Sequence, residues 1–372
     1  MGVYDLHENP MICPSVFTLF LACAASGAVP GQTQSGTTLA ELVSLPFARG
    51  DKIFTSRKAP QGGVDFCVQN GPSGTPRVLI IASEAPLDAL EPLTDFSVSS
   101  DGQLCAYFTT QSDAKYESIR IVDVKTGKPL EDVISWTHYG DIGWNGDGLY
   151  YGGYRKPEPG STGYSDERVL YHRLGTPQDR DLAVYEDRSH PKRKYFFLAT
   201  YDHRFLLIHV LEKAAGKTLV SEWFRREGSI QAPFKPLQPE MAPGRFYLCD
   251  NVGDHLVLLT MYKSPKGRVV DVDQHHPEES AWKTVLPEPV DDAEPFLGNM
   301  VVLQSQPGGG NKATMFSLKG EFLRTIPTDA GATVDVQSCG KREKYGFLSM
   351  EKGGVRSYFL YDQSANRLVP FH

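Results

Sequence analysis

Short alternating strands, abundant turn residues and a unit recurring every 43–54 residues predict an all-β fold, a seven-bladed β-propeller of four-stranded antiparallel blades. The chain has 372 residues, among them 35 Gly, 26 Pro, 17 Tyr and 19 Phe, so strand formers and chain-reversing residues are both plentiful. Helical periodicity is almost absent after Asp51. A charged share of 22% beside an apolar share of 40% fits a soluble globular chain.

The unit is clearest between Asp141 and Asp187. Asp141–Trp144 reads as a short strand meeting a turn at Asn145-Gly146-Asp147-Gly148. Leu149–Arg155, Val169–Leu174 and Asp181–Tyr185 read as the second, third and fourth strands. Asp-Gly suits the hairpin because Gly takes positive φ without steric cost.

Third strands recur at Val64–Gln69, Ser118–Val124, Val169–Leu174, Thr218–Phe224, Arg268–Val272, Ala313–Leu318 and Arg356–Tyr361. Their starts lie 54, 51, 49, 50, 45 and 43 residues apart. Hairpins precede them, at Thr94–Ser99 with Leu104–Thr109, Tyr195–Thr200 with Phe205–Val210, Phe246–Cys249 with His255–Met261, Glu294–Leu297 with Met300–Gln304, and Val334–Ser338 with Tyr345–Met350. Short outer strands follow, at Val78–Ala82, Leu130–Ser135, Leu182–Tyr185, Trp282–Leu286, Phe322–Ile326 and Arg367–Phe371. The fourth unit's outer strand is assigned to Phe234–Leu237. Radial stacking buries both faces of each blade, which explains the nearly all-apolar second strands. Inner strands rich in Gly, Ser and Asp suit a crowded, solvated channel. Two β-sandwiches would account for the strands but not for the period.

Residues 1–50 form a separate N-terminal segment ahead of a propeller at 51–372. Met11–Ala28 is an apolar run closing on small residues at Ser26-x-Ala28, as a secretory signal sequence does. Met1–Pro10 carries Asp5 and Glu8 and no Lys or Arg, unlike a basic n-region, so cytoplasmic and secreted destinations both stay open. The run is too short and interrupted for a membrane span. Gly31–Thr38 reads as a linker.

A net charge of −7 offers no basic face for nucleic acid. Six Cys (13, 23, 67, 105, 249, 339) show no C-x-x-C, which excludes the usual zinc pattern. Cys105 and Cys249 lie in apolar runs and read as buried thiols. His172, between Tyr171 and Arg173, reads as a buried, hydrogen-bonded structural histidine. Asp271, Asp273, His275 and His276 read as a solvated turn rather than a metal site. Gly308-Gly309-Gly310 lacks the Lys-Ser/Thr and the helix of a phosphate cradle. Asp291-Asp292 reads as a surface turn, and Arg225-Arg226 beside Trp223 as a solvated blade edge. No residue is thereby assigned a catalytic, cofactor-binding or metal-binding role.

Several runs resemble the propeller of the prolyl oligopeptidase family of serine peptidases. Ile134-Ser-Trp-Thr-His138, Gly143-Trp-Asn-Gly-Asp-Gly-Leu-Tyr-Tyr151 and Leu170-Tyr-His-Arg-Leu-Gly-Thr-Pro-Gln-Asp179 resemble its third blade. Phe96–Tyr107 resembles its second-blade hairpin. Tyr185–Asp187 and Pro191–Tyr195 continue the likeness, and Val269–Asp273 and Trp282–Glu288 follow it more loosely. The resemblance covers about residues 50–372. It implies a gating propeller that selects substrates by size above an α/β-hydrolase domain, where a Ser–His–Asp set cleaves after proline in short peptides. No Gly-x-Ser-x-Gly elbow occurs in these 372 residues, so none inherits a catalytic role and the chain is expected to be inactive alone. The implied partners are short peptides or a separate catalytic domain, with no cofactor. A stand-alone protein- or peptide-binding propeller is the alternative. An enzyme with its site in the channel is a third reading, unsupported by any nucleophile–base pair.

Overall fold

The computed structural model describes residues 41–60, 63–80, 96–110, 117–154, 166–214, 216–244 and 246–372. The signal-like stretch 11–28 and the linker 31–38 lie outside the described residues.

Six antiparallel sheets follow one another along the described chain. The first holds β1 (Phe47–Arg49), β2 (Lys52–Lys58), β3 (Val64–Asn70) and β4 (Arg77–Ile80). The second has seven strands: β5 (Phe96–Val98), β6 (Leu104–Thr110), β7 (Glu117–Asp123), β8 (Pro129–Asn145), β9 (Gly148–Gly153), β10 (Arg168–Arg173) and β11 (Leu182–Glu186). Four four-stranded sheets remain. They are β12 (Lys194–Ala199) to β15 (Lys235–Ala242), through β13 (Phe205–Ala214) and β14 (Lys217–Arg226); and β16 (Phe246–Val252) to β19 (Lys283–Leu286), through β17 (His255–Thr260) and β18 (Arg268–Asp273). Next come β20 (Asp292–Phe296) to β23 (Phe322–Thr325), through β21 (Asn299–Ser305) and β22 (Asn311–Phe316); and β24 (Thr333–Val336) to β27 (Arg367–Phe371), through β25 (Gly346–Lys352) and β26 (Val355–Asp362). Within every sheet, neighbours in space are neighbours in sequence. Among the described residues no helix is long and apolar enough to cross a membrane.

The structure departs from the expected strands in four places. Leu130–Ser135 and Asp141–Trp144 are parts of one strand, β8, which pairs with β7 up to Thr137 and with β9 at Thr137 and again from Ile142. The sequence Trp136-Thr137-His138-Tyr139 offers no Pro and no Asp-Gly to break it. Trp136 sits at φ 61, and the register with β9 shifts between Thr137 and Ile142. The two halves of this sheet therefore face each other, packing Ala106, Ile119 and Ile134 against Trp144, Leu149 and Leu170. Second, the β13–β14 hairpin runs on to Ala214 and Lys217, and β15 continues past Leu237 to Ala242. Third, the first sheet begins at Phe47, ahead of Asp51, and Leu42 bridges to Arg57 before it. Fourth, Asp292 is not in a surface turn but opens β20.

Alternation along the second strands explains the core. Leu206 and Ile208 of β13 pack on Tyr150 and Val169 of the preceding sheet, while Phe205 and Leu207 pack on Leu256 and Leu258 of the next. Val257 and Leu259 of β17 then face Met300 and Val302, and Val301 and Met315 face Val334 and Leu348. With a side-chain period of two, such a strand is apolar at nearly every position because both its faces are covered.

The first and last sheets close on each other. Leu42, Ala48 and Ile53 pack with Phe347 and Phe371, whose rings meet edge-on at 5.1 Å. Arg57 Nη2 donates to the His372 carbonyl (3.1 Å), and the Gly50 N–H to Glu343 Oε2 (2.9 Å). Among the described residues no strand is exchanged between these sheets, and each of these seam contacts involves a side chain. Each large apolar side chain buried there contributes roughly 2 kcal/mol. The Lys344–Asp51 pair is solvent-exposed and adds little beside them. Phe371→Ala should lower the free energy of urea unfolding by about 3 kcal/mol; a loss well under 1 kcal/mol would show that the seam does not hold the fold.

Candidate functional site

The innermost strands enclose a cavity of about 380 Å³. Phe47 and Arg49 of β1, Phe96–Val98 of β5, Asp141–Trp144 of β8, Phe197–Ala199 of β12 and Asp250 and Asn251 of β16 line it, with Lys341–Glu343 after β24. Three side-chain bonds and one backbone bond tie the chain together around it. Trp144 Nε1 donates to the Ser97 carbonyl (3.0 Å), and the Phe197 N–H to Asp141 Oδ2 (3.0 Å). Asn251 Nδ2 donates to Asp202 Oδ2 (3.0 Å), and the Cys339 N–H to the Pro295 carbonyl (2.8 Å). A ring of short strands whose ends diverge has few backbone partners across it, so these bonds fix its width.

Two turns at the cavity share one design. Ser99 Oγ accepts the Leu104 N–H (2.9 Å) and donates to Asp101 Oδ1 (2.6 Å), with Gly102 at φ 67. Thr200 Oγ1 accepts the Phe205 N–H (3.0 Å) and donates to Asp202 Oδ1 (3.0 Å), with His203 at φ 56. His203 thus holds a left-handed position that Gly fills in the sister turn, at a cost of about 1 kcal/mol. Strain of that kind is kept where a side chain is needed.

The wall carries charge of both signs. Burial pushes the carboxyls of Asp141 and Asp250 up to about 6, against hydrogen bonds from backbone N–H groups. Asp292, on β20 and not among the residues lining the cavity, is pushed up to about 7 by burial and then by the charge of Glu294. Burial also opposes the charge on Asp202, but donors from Asn251, Thr200 and the Arg204 N–H outweigh it and hold that carboxyl below its usual range. Burial, then the charges of Arg342 and Arg49, lowers the pKa of His203. Aromatic rings fill the gaps between these groups, with Phe47 stacked on Phe96 at 5.9 Å.

The residues weighed in the sequence fall mostly outside this cavity. His172 is 1% exposed and set between two carboxylates, Nδ1 to Asp181 Oδ1 at 2.8 Å and Nε2 to Asp132 Oδ1 at 3.1 Å. Burial opposes the imidazolium, yet those two hydrogen bonds and charges prevail and raise its pKa above 6.5. His172 is a clip between β8 and the start of β11. Asp271 is bonded to His255 Nδ1 (2.6 Å), and Asp273 accepts the His275 N–H (2.8 Å). Among the described residues, no group of three or more His, Cys, Asp or Glu is arranged to hold a metal ion. Cys67, Cys105, Cys249 and Cys339 are buried free thiols.

Arg225 corrects the reading of a solvated edge, since it is 1% exposed. It pairs across β13 with Leu206 and so faces the preceding sheet. There Nη2 donates to the Tyr150 hydroxyl (3.0 Å), Nε to Glu227 Oε1 (2.9 Å), and the guanidinium covers the Phe234 ring at 5.0 Å. Arg226 alone is exposed, 3.5 Å from Asp254. Sequence reasoning missed Asp250, Asn251 and His203. Only the parallel between Ser99-Ser-Asp-Gly102 and Thr200-Tyr-Asp-His203 could have flagged the last.

Consecutive antiparallel sheets arranged face to face around a charged central cavity define a β-propeller domain. Residues 40–352 match the family described as prolyl oligopeptidase, N-terminal beta-propeller domain, and the chain belongs to that family. Among curated proteins, it is 26% identical over 252 residues to a prolyl endopeptidase of Elizabethkingia meningoseptica, covering 67% of this chain and 35% of that protein. It is 27% identical over 217 residues to prolyl oligopeptidase A of Galerina marginata, covering 50% of this chain and 28% of that protein. The chain thus spans about a third of the length of these relatives. Among solved structures, a prolyl endopeptidase superposes with a TM-score of 0.76 at 21% identity, over 88% of this chain and 48% of its own. Prolyl oligopeptidase B from Galerina marginata does so with a TM-score of 0.75 at 17% identity, over 90% of this chain and 51% of its own.

His172→Gln should lose about 3 kcal/mol at pH 6, because it leaves Asp132 and Asp181 without their shared cation. A raised histidine pKa stabilises the fold fully below pH 6.5, and the benefit fades as pH rises through the folded-state value. The gap between wild type and variant, measured by urea unfolding, should therefore narrow from pH 6 toward pH 9. A gap independent of pH would refute the charged clip.

Proposed function

We propose that the chain is a seven-bladed propeller that gates access to a prolyl-oligopeptidase-type active site by substrate size. The blade count rests on β8, whose first half serves as outer strand to β5–β7 and whose second half is inner strand to β9–β11. With the seven-stranded sheet read as two blades, the six sheets give seven. The gating role rests on the cavity itself. A space of about 380 Å³ ringed by inner strands admits the end of an extended peptide and excludes a folded chain. In this reading the partner is an α/β-hydrolase domain that supplies the Ser, His and Asp and cleaves after proline. The propeller contributes selection and part of the chamber wall, and the bond-breaking groups lie with its partner.

Joining residues 41–372 to the α/β-hydrolase domain of a prolyl endopeptidase tests this. The chimera should hydrolyse a short Gly-Pro-linked chromogenic peptide and spare folded proteins. Cleavage of folded proteins at the rate of the catalytic domain alone would overturn the gating role.

A further inference from the structure

The exposed charged side chains on the cavity wall are all cations: Lys341, Arg342 and Arg356. Arg356 is engaged by Glu351 Oε2 at 2.8 Å and by Asp335 Oδ2 at 3.7 Å. Lys341 and Arg342 make no hydrogen bond or ion pair among the described residues. The carboxyls on the same wall are buried or half-buried. Asp141 accepts the Phe197 N–H and Asp202 accepts from Asn251 Nδ2, both at 3.0 Å. Glu343 accepts the Gly50 N–H (2.9 Å) and lies 3.8 Å from Arg49 Nη1. Asp250 is 5% exposed. In a chain of net charge −7, the charge that this wall presents to an entering molecule is therefore positive.

One turn carries the pair. The Glu343 N–H donates to the Gly340 carbonyl (3.2 Å), which makes Lys341 and Arg342 the central residues of a β-turn. Both flanks are anchored to neighbouring sheets. The Cys339 N–H donates to the Pro295 carbonyl (2.8 Å), and the Cys339 carbonyl accepts the Leu297 N–H (3.1 Å). On the other side Glu343 holds Gly50, as above. A Cβ on Gly340 would stand 2.6 Å from the Tyr201 ring, and one on Gly298 would stand 2.7 Å from Lys341 Cβ. The backbone that carries the two cations is thus fixed before a ligand arrives, which lowers the ordering cost of binding.

An ammonium beside a guanidinium offers N–H donors and no acceptor. The planar guanidinium takes a carboxylate through two parallel N–H bonds, and the ammonium adds a point charge. Phe47, Phe96 and Trp144 on the same wall give apolar surface for the rest of a peptide. We propose that the Lys341–Arg342 turn captures a carboxylate of a short peptide in the cavity. Peptides with an acidic group then enter in preference to neutral ones of the same width. This rests on the reading of the channel as a route for short peptides, whose ordinary anionic groups are carboxylates.

Calorimetric titration of the full chain at pH 7.5 and low salt tests it with three peptides. They are N-acetyl-Ala-Phe-Pro-Gly as the free acid, its C-terminal amide, and N-acetyl-Glu-Phe-Pro-Gly amide. At least one carboxylate peptide should bind about tenfold more tightly than the neutral amide. Which one does so tells whether the group recognised is a chain terminus or an acidic side chain. Lys341→Gln combined with Arg342→Gln should bring all three to the level of the neutral amide. The melting temperature should stay put, because neither side chain is buried or paired. Salt at about 0.5 M should erode the preference of the unsubstituted chain. Equal affinity for all three peptides, no binding at millimolar peptide, or a preference that survives the double substitution would overturn the site. The size selection of the chimera reads gating separately, so loss of this site leaves that reading standing or falling on its own test.

Discussion

A sheet with two apolar faces cannot stand alone in water, and every other feature of this molecule follows from that. Leu206 and Leu207 are consecutive on β13 and both fully buried, yet they belong to different apolar clusters on opposite sides of the sheet. The same holds for Leu256 and Val257 on β17. Each sheet therefore needs a neighbour on both sides, and only a ring provides one for the first and last. Leu42, Ala48, Ile53, Phe347 and Phe371 are where that requirement is met.

The ring also creates the site. Sheets that pack radially crowd their first strands together, and β1, β5, β12 and β24 are accordingly short, of 3, 3, 6 and 4 residues. Their backbones cannot all pair across the axis, so polar side chains bridge them and line the cavity with fixed charges. Burial raises Asp141 and Asp250 because the wall is partly dry, and the same dryness makes an unpaired oxygen there expensive. Architecture and binding chemistry are in this sense one property: the apolar faces fix the ring, and the ring concentrates polar atoms at its centre.

The fold was largely legible in the sequence because it is written in period and alternation. The spacing of third strands and the apolar runs at Phe205 and Leu256 needed no knowledge of tertiary contacts. The structure differs where a local signal was absent. Nothing between Trp136 and Tyr139 marks a chain break, so two expected strands are one. Asp292 looked like turn chemistry beside Asp291, but strand pairing with Leu303 overrode it. Arg225 looked solvated because its partners, Tyr150 and Glu227, come from a different sheet and a following loop. The cavity residues were least legible: Asp250 and Asn251 gain meaning only from the strands that close around them.

Hydrogen exchange across the ring tests directly whether closure governs stability. If every sheet depends on both neighbours, the slowest amides of β2 and β26, on either side of the seam, should exchange only through global unfolding. Their free energies and denaturant dependence should then equal those of the fully enclosed β17. Seam amides that exchange at distinctly lower free energy than β17 would show that the ring opens there while the rest stays folded, and would contradict the account.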